Sequence, residues 1–309
     1  MKKTTKRLPC KIDLKNRFLP VSILVATIII AGAWVYTARL KTTTIPSPIS
    51  SKSDEVVAKL EQKIIPSKGV VLPVKWNDLG KQLVALGVID SEKFEQLYVK
   101  VGGLDKEGKK MLYDEGNGEI KITPQNSNFL LNLLWALGLG NKNPVLDNGP
   151  MQDAQYGGAD QFASTGGWTL AVGDTMNHFS KYSLITLTSE QQDLVERVAK
   201  NIYRPCCGNS TYFPDCNHGM AMLGLLGLMA SQNVSEQKMY NAALTVNSYW
   251  FPDTYLTIAK YLSIKGLDWN KTDAQEILSY DFSSQKGYNK ILSEVEPAQS
   301  KNSGSGCEV

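Results

Sequence analysis

Histidine is nearly missing from this chain, with only His178 and His218 among 309 residues. A Ser-His-Asp hydrolase would have to spend one of those two. The Gly-x-Ser-x-Gly elbow, the Walker A loop and His-Glu-x-x-His are all absent, which excludes the usual hydrolase, nucleotidase and zinc-protease signatures. Cys-x-x-Cys and Cys-x-x-Cys-His are absent too, so neither a thioredoxin-type redox pair nor a c-type haem attachment site is present. A basic excess is also missing once the first residues are set aside. Lys2, Lys3, Lys6, Arg7, Lys11, Lys15 and Arg17 against Asp13 give residues 1–17 a charge of +6, which leaves −3 for the remainder of the +3 total. A mildly acidic remainder has no footprint for nucleic acid.

What is there begins with an uncharged apolar run of 21 residues, Phe18 to Ala38. That length spans hydrocarbon at 1.5 Å per residue, and the basic residues before it predict a cytoplasmic N-terminus. The expectation is therefore a single-pass anchor in the cytoplasmic membrane, with everything after it extracytoplasmic. A cleaved signal peptide, cut near Ala31-Gly32-Ala33, is the rival reading, but Trp34, Val35 and Tyr36 prolong the apolar stretch past that cut. The predicted organisation is a basic tail (1–17), a transmembrane helix (18–38), a stalk (39–53), a helical domain (54–295) and a flexible tail (296–309).

Within the domain, hydrophobic periodicity and capping residues predict a mostly α fold of packed helical hairpins. Helices are expected over residues 54–65, 77–85, 90–98 with Asp90 as N-cap, and 127–139 before Gly140. Residues 102–118, dotted with glycine, read as loop. Residues 141–180 carry Pro144, Pro150, Gly157-Gly158 and Gly166-Gly167 and read as a long Gly/Pro-rich loop with one short strand at most. Two similar units follow. Each runs from Ser-Glu-Gln (189–191, 235–237) through Asn-Ser (209–210, 247–248) to Phe-Pro-Asp (213–215, 251–253), where Asp is expected to cap a new helix. The first unit is eight residues longer, and the surplus lies around Arg204-Pro205-Cys206-Cys207-Gly208, a cysteine-bearing insert spanning 204–218.

Cys206, Cys207, Cys216 and His218 bring three thiols and an imidazole within 13 residues. Those donors suit zinc or copper, and nearby thioethers favour Cu(I). Met176, His178 and Cys307 are candidate auxiliary ligands, since Met176-Asn177-His178 repeats the order of Cys216-Asn217-His218 and Cys307 rides on the Gly-rich tail. Placed first in a helix capped by Asp215, Cys216 would have a lowered pKa, making it the nucleophile of a thiol-disulfide oxidoreductase. A third reading takes the cysteines as staples in a cell-envelope interaction domain. Ala163-Ser164-Thr165-Gly166-Gly167-Trp168 is a weaker candidate for an exposed hydroxyl.

The stretch Tyr203-Arg204-Pro205-Cys206-Cys207-Gly208 through Phe213-Pro214-Asp215-Cys216-Asn217-His218-Gly219-Met220 resembles one shared by an uncharacterised family of membrane-anchored bacterial proteins. The likeness extends over most of residues 76–309. It implies a bacterial cell-surface or periplasmic setting and brings no activity with it.

Overall fold

Two helices that are apolar on almost every face set the architecture: α5 (Ser127–Gly140) and α8 (Asn217–Ser231). A helix with no polar face must be surrounded, and all but one residue of α5 and all of His218 to Ala230 in α8 are buried. The two backbones touch, and glycine makes that possible. A Cβ on Gly138 would meet the Met220 carbonyl at 2.1 Å, and one on Gly224 would meet the Leu134 carbonyl at 2.6 Å. Either substitution would drive the central pair apart.

The computed structural model describes residues 57–299, and the other elements wrap this pair. Helical residues 57–64 (α1) lead into β1 (Val70–Asn77), followed by α2 (Leu79–Ala85), α3 (Ser91–Val99), α4 (Lys106–Tyr113) and β2 (Asn117–Ile122). The strands form an antiparallel ribbon pairing Val70 with Ile122 and Asn77 with Asn117, with an irregularity between Val71 and Lys75. Leu72, Val74 and Trp76 alternate inward along β1, as a half-buried strand requires. Asp90 caps α3, its carboxylate accepting from the backbone of Glu92 and Lys93. After α5 come α6 (Pro144–Asn148), a run of 3-10 turns, α7 (Ser189–Lys200), α8, α9 (Glu236–Trp250) and α10 (Pro252–Ile264). Three short helices close the described chain: α11 (Ala274–Ile277), α12 (Tyr280–Ser283) and α13 (Gln285–Leu292).

Several expectations change. The anticipated membrane helix, 18–38, lies outside the described residues, as do the basic tail, the stalk, Cys10 and Cys307. Among the described residues no helix is long and apolar enough to cross a membrane. The longest, α8 and α9, have 15 residues each, about 22 Å against a hydrocarbon core of about 30 Å. The single-pass anchor, the inside-out topology and the extracytoplasmic address that rested on it therefore find no support in the structure. The stretch read as loop over 102–118 contains α4 and the start of β2, and Asn77, expected to open a helix, ends β1 at φ +55°.

The long segment between α6 and α7 is ordered by its own polar contacts. Trp168 donates its indole N–H to the Val88 carbonyl, and Ser180 N–H reaches Leu139 O. Ser164 and Thr165 are wholly buried, so no exposed hydroxyl arises there.

Candidate metal and thiol site

The site is built on the segment between α7 and α8, which is pinned at several points. Thr211 N–H donates to Ile202 O and Tyr212 N–H to Ala199 O. Gln285 N–H donates to the Cys207 carbonyl, and Ser164 N–H to the Asp215 carbonyl. These bonds fold the segment back on itself. Cys206 and Cys207, on its outgoing arm, thereby face Cys216 and His218 at the start of α8.

At the centre of the fold-back lies Arg204, only 2% exposed. Its guanidinium spends its donors in four directions. Nε donates to Cys216 Sγ at 2.9 Å and Nη1 to the Asn209 carbonyl at 3.2 Å. Nη2 donates to the Phe213 carbonyl at 3.2 Å and to Asp215 Oδ1 at 2.6 Å. The second Asp215 oxygen accepts from Asn209 Nδ2 at 2.9 Å. A buried cation needs such compensation. Gly219 supplies the room, because a Cβ there would lie 2.5 Å from Arg204 Nη2.

Helix α8 begins one residue later than expected. Cys216 itself is the N-cap, with φ −122° and ψ 167° and no side-chain capping bond, while Asp215 is turned to Arg204. The sulfur is thereby left free to face the other cysteines. Cys206 Sγ lies 3.6 Å from Cys216 Sγ. That is far beyond the roughly 2.05 Å of a disulfide, and Cys206, Cys207 and Cys216 are all free thiols. Cys207 Sγ is 3.7 Å from Asp215 Oδ1 and 3.8 Å from the Asn209 carbonyl.

The electrostatics divide the three thiols. The Cys206 and then Cys207 thiols, acting as donors, hold the Cys216 thiol well below its ordinary range. Burial opposes them, and the Arg204 charge and His218 add to them. Cys206 is driven upward by its interactions with Cys207 and Cys216 and by burial. Cys207 is drawn down by Cys206, but Cys216 and burial prevail and push it up to about 11. Burial disfavours the Arg204 charge, yet Cys216, Cys207, Cys206 and Asp215 together raise its pKa above the usual value. The site thus sets one thiol of lowered pKa against the Arg204 guanidinium, beside two thiols whose pKa values are raised.

Two sets of donor atoms lie within 4.8 Å of one another: Cys206, Cys216 and His218, and Cys207, Asp215 and Cys216. The second set is the poorer, since both Asp215 oxygens already accept hydrogen bonds. The first includes a buried imidazole. His218 is 3% exposed, packed against Phe251 at 4.4 Å and Trp250 at 5.5 Å between ring centroids, and its Nδ1 has no hydrogen-bond partner among the described residues.

The auxiliary candidates stand apart. His178 is buried, but Nδ1 meets Tyr182 Oη and Nε2 meets the Val172 carbonyl, each at 2.9 Å, so no ring nitrogen is free. Met176 is half-buried in a 3-10 turn outside both donor sets, and Cys307 lies outside the described residues. Sequence reading missed Arg204, Asn209 and Gly219 as parts of the site. No family model, no curated protein and no solved structure matches the chain, which leaves the site's own chemistry to speak for its function.

Proposed function

We propose that this protein binds a single soft or borderline metal ion, zinc or copper(I), through Cys206, Cys216 and His218. One observation carries this reading. Two sulfurs and an imidazole nitrogen of His218 lie within 4.8 Å of one another, unbridged by a disulfide, and the buried His218 Nδ1 has no hydrogen-bond partner among the described residues. In a tetrahedral zinc site with Zn–S near 2.3 Å, neighbouring sulfurs sit about 3.8 Å apart. The observed 3.6 Å is close to that edge length. A leftover buried polar atom otherwise costs about 1–3 kcal/mol.

Cys216 is the anchor ligand, its thiol held below its ordinary range and its sulfur accepting from Arg204 Nε. Cys206 and His218 complete three positions, and Cys207 is a further thiol that could close a fourth. Three fixed donors with a changeable fourth suit a site that receives and releases its ion. Arg204 offsets part of the thiolate charge and keeps the fold-back in shape. Metal content and affinity of the full chain test the proposal, with equimolar zinc or copper(I) expected, lost in Cys216→Ser and bound more weakly in His218→Ala.

Thiol-disulfide exchange is the second reading, favoured by the Arg204–Cys216 contact and by Cys206 at resolving distance. The Cys216 thiolate would attack a disulfide and expel one thiolate. Cys206 would then displace the second thiol, leaving a Cys206–Cys216 bridge. A Cys206→Ser variant should then accumulate the mixed disulfide, and its failure to do so removes this reading.

A further inference from the structure

A second site lies away from the cysteines and shares no residue with them. It is a pocket of ≈ 430 Å³ between the end of α3, the start of α4, the start of α5 and the α9–α10 turn. That volume is within the range of small-molecule sites. Its walls are aromatic, from Tyr98, Phe129 and Tyr249, with Tyr98 and Phe129 edge to face at 5.8 Å. Gly102 and Gly103, at φ +101° and +82°, turn the chain sharply and leave Val101 78% exposed at the mouth. An L-side chain at either glycine would be strained there.

The charge is one-sided. Asp105 and Glu107 are the only ionisable carboxylates among the lining residues, and no Lys, Arg or His lines the pocket. Asp105 caps α4 through one oxygen, taking Gly108 N–H at 2.7 Å. Glu107 has no ion-pair or hydrogen-bond partner among the described residues. Asn132, behind the wall, holds the Tyr98 ring in place by donating Nδ2 to its Oη at 2.9 Å. Aromatic walls and an unspent carboxylate in one pocket describe a receptor rather than a packing defect.

We infer that this pocket binds a small organic cation, an amine or quaternary ammonium group on an apolar body. The aromatic walls take the body, and Asp105 and Glu107 take the charge. This stands independently of the metal reading. The test titrates the full chain, metal-free, with benzyltrimethylammonium, benzyl alcohol and benzoate, and follows binding by calorimetry. The cation is expected to bind with a dissociation constant at or below about 1 mM, and the alcohol and benzoate at least about tenfold more weakly, a difference of about 1.4 kcal/mol. Glu107→Gln, an exposed change that leaves the core intact, should weaken the cation about threefold or more. Benzoate binding as tightly as the cation would overturn the proposal, since the free amides of α5 rather than the carboxylates would then set the site. So would the absence of binding by any of the three, or Glu107→Gln leaving the cation unaffected.

Discussion

The two histidines stand in nearly identical local sequence, each after an asparagine and two places after a sulfur residue, and both are buried. Their surroundings differ completely. His178 closes a loop with a hydroxyl on one nitrogen and a carbonyl on the other. His218 opens a helix among thiols and aromatic rings with Nδ1 unpartnered. The difference teaches that hydrogen-bond satisfaction, rather than burial or local motif, separates a structural histidine from a candidate ligand.

The largest effect should come from the charge pair that exists only on the His218 side. Arg204→Met leaves Asp215 and the Cys216 thiolate without their buried counter-charge. We expect a loss of about 3–5 kcal/mol in urea unfolding. A loss under about 1 kcal/mol would mean that the guanidinium is incidental. Next in size is the ligand test: His218→Ala should weaken zinc or copper(I) on the order of 100-fold, about 2.7 kcal/mol, in a chelator competition. His178→Ala should leave that affinity unchanged while lowering stability by about 1–3 kcal/mol, the cost of stranding its two partners. Equal affinity losses from both variants would break the comparison. The smallest effect concerns pH. Because the Cys216 pKa is lowered and those of Cys206 and Cys207 are raised, the thiolate of Cys216 forms first as pH rises. Mass-mapped alkylation of the metal-free chain should modify Cys216 below pH 8.5 and the other two only above it. Simultaneous labelling of all three near pH 8.5 would contradict the division of the three thiols by their mutual hydrogen bonds and Arg204.

Parts of this molecule were readable in the sequence because their signals are local. The N-cap of α3 at Asp90 is a short-range pattern, as is the continuous apolar run of α5. The cysteines and His218 fall within 13 residues, so their proximity was legible as well. What failed was non-local or hidden by composition. The β1–β2 ribbon joins residues 40 to 52 positions apart, and α4 has few apolar residues among its lysines. The membrane reading came from composition in a segment outside the described residues, and the apolar helices that are described are buried by protein. Arg204 was illegible because a charged side chain is rarely interior. Its only trace was a glycine at position 219, whose purpose appears once the guanidinium is seen beneath it. The helix start slipped by one residue because Asp215, an ordinary cap, is taken by Arg204.

The most direct measurement is X-ray absorption on the full chain loaded with one equivalent of zinc or copper(I). Two or three sulfurs near 2.3 Å and one imidazole nitrogen near 2.0 Å are expected, with the nitrogen lost in His218→Ala and retained in His178→Ala. A shell of oxygen alone, or a nitrogen that disappears with His178 instead, would contradict the assignment of Cys206, Cys216 and His218 as the metal site.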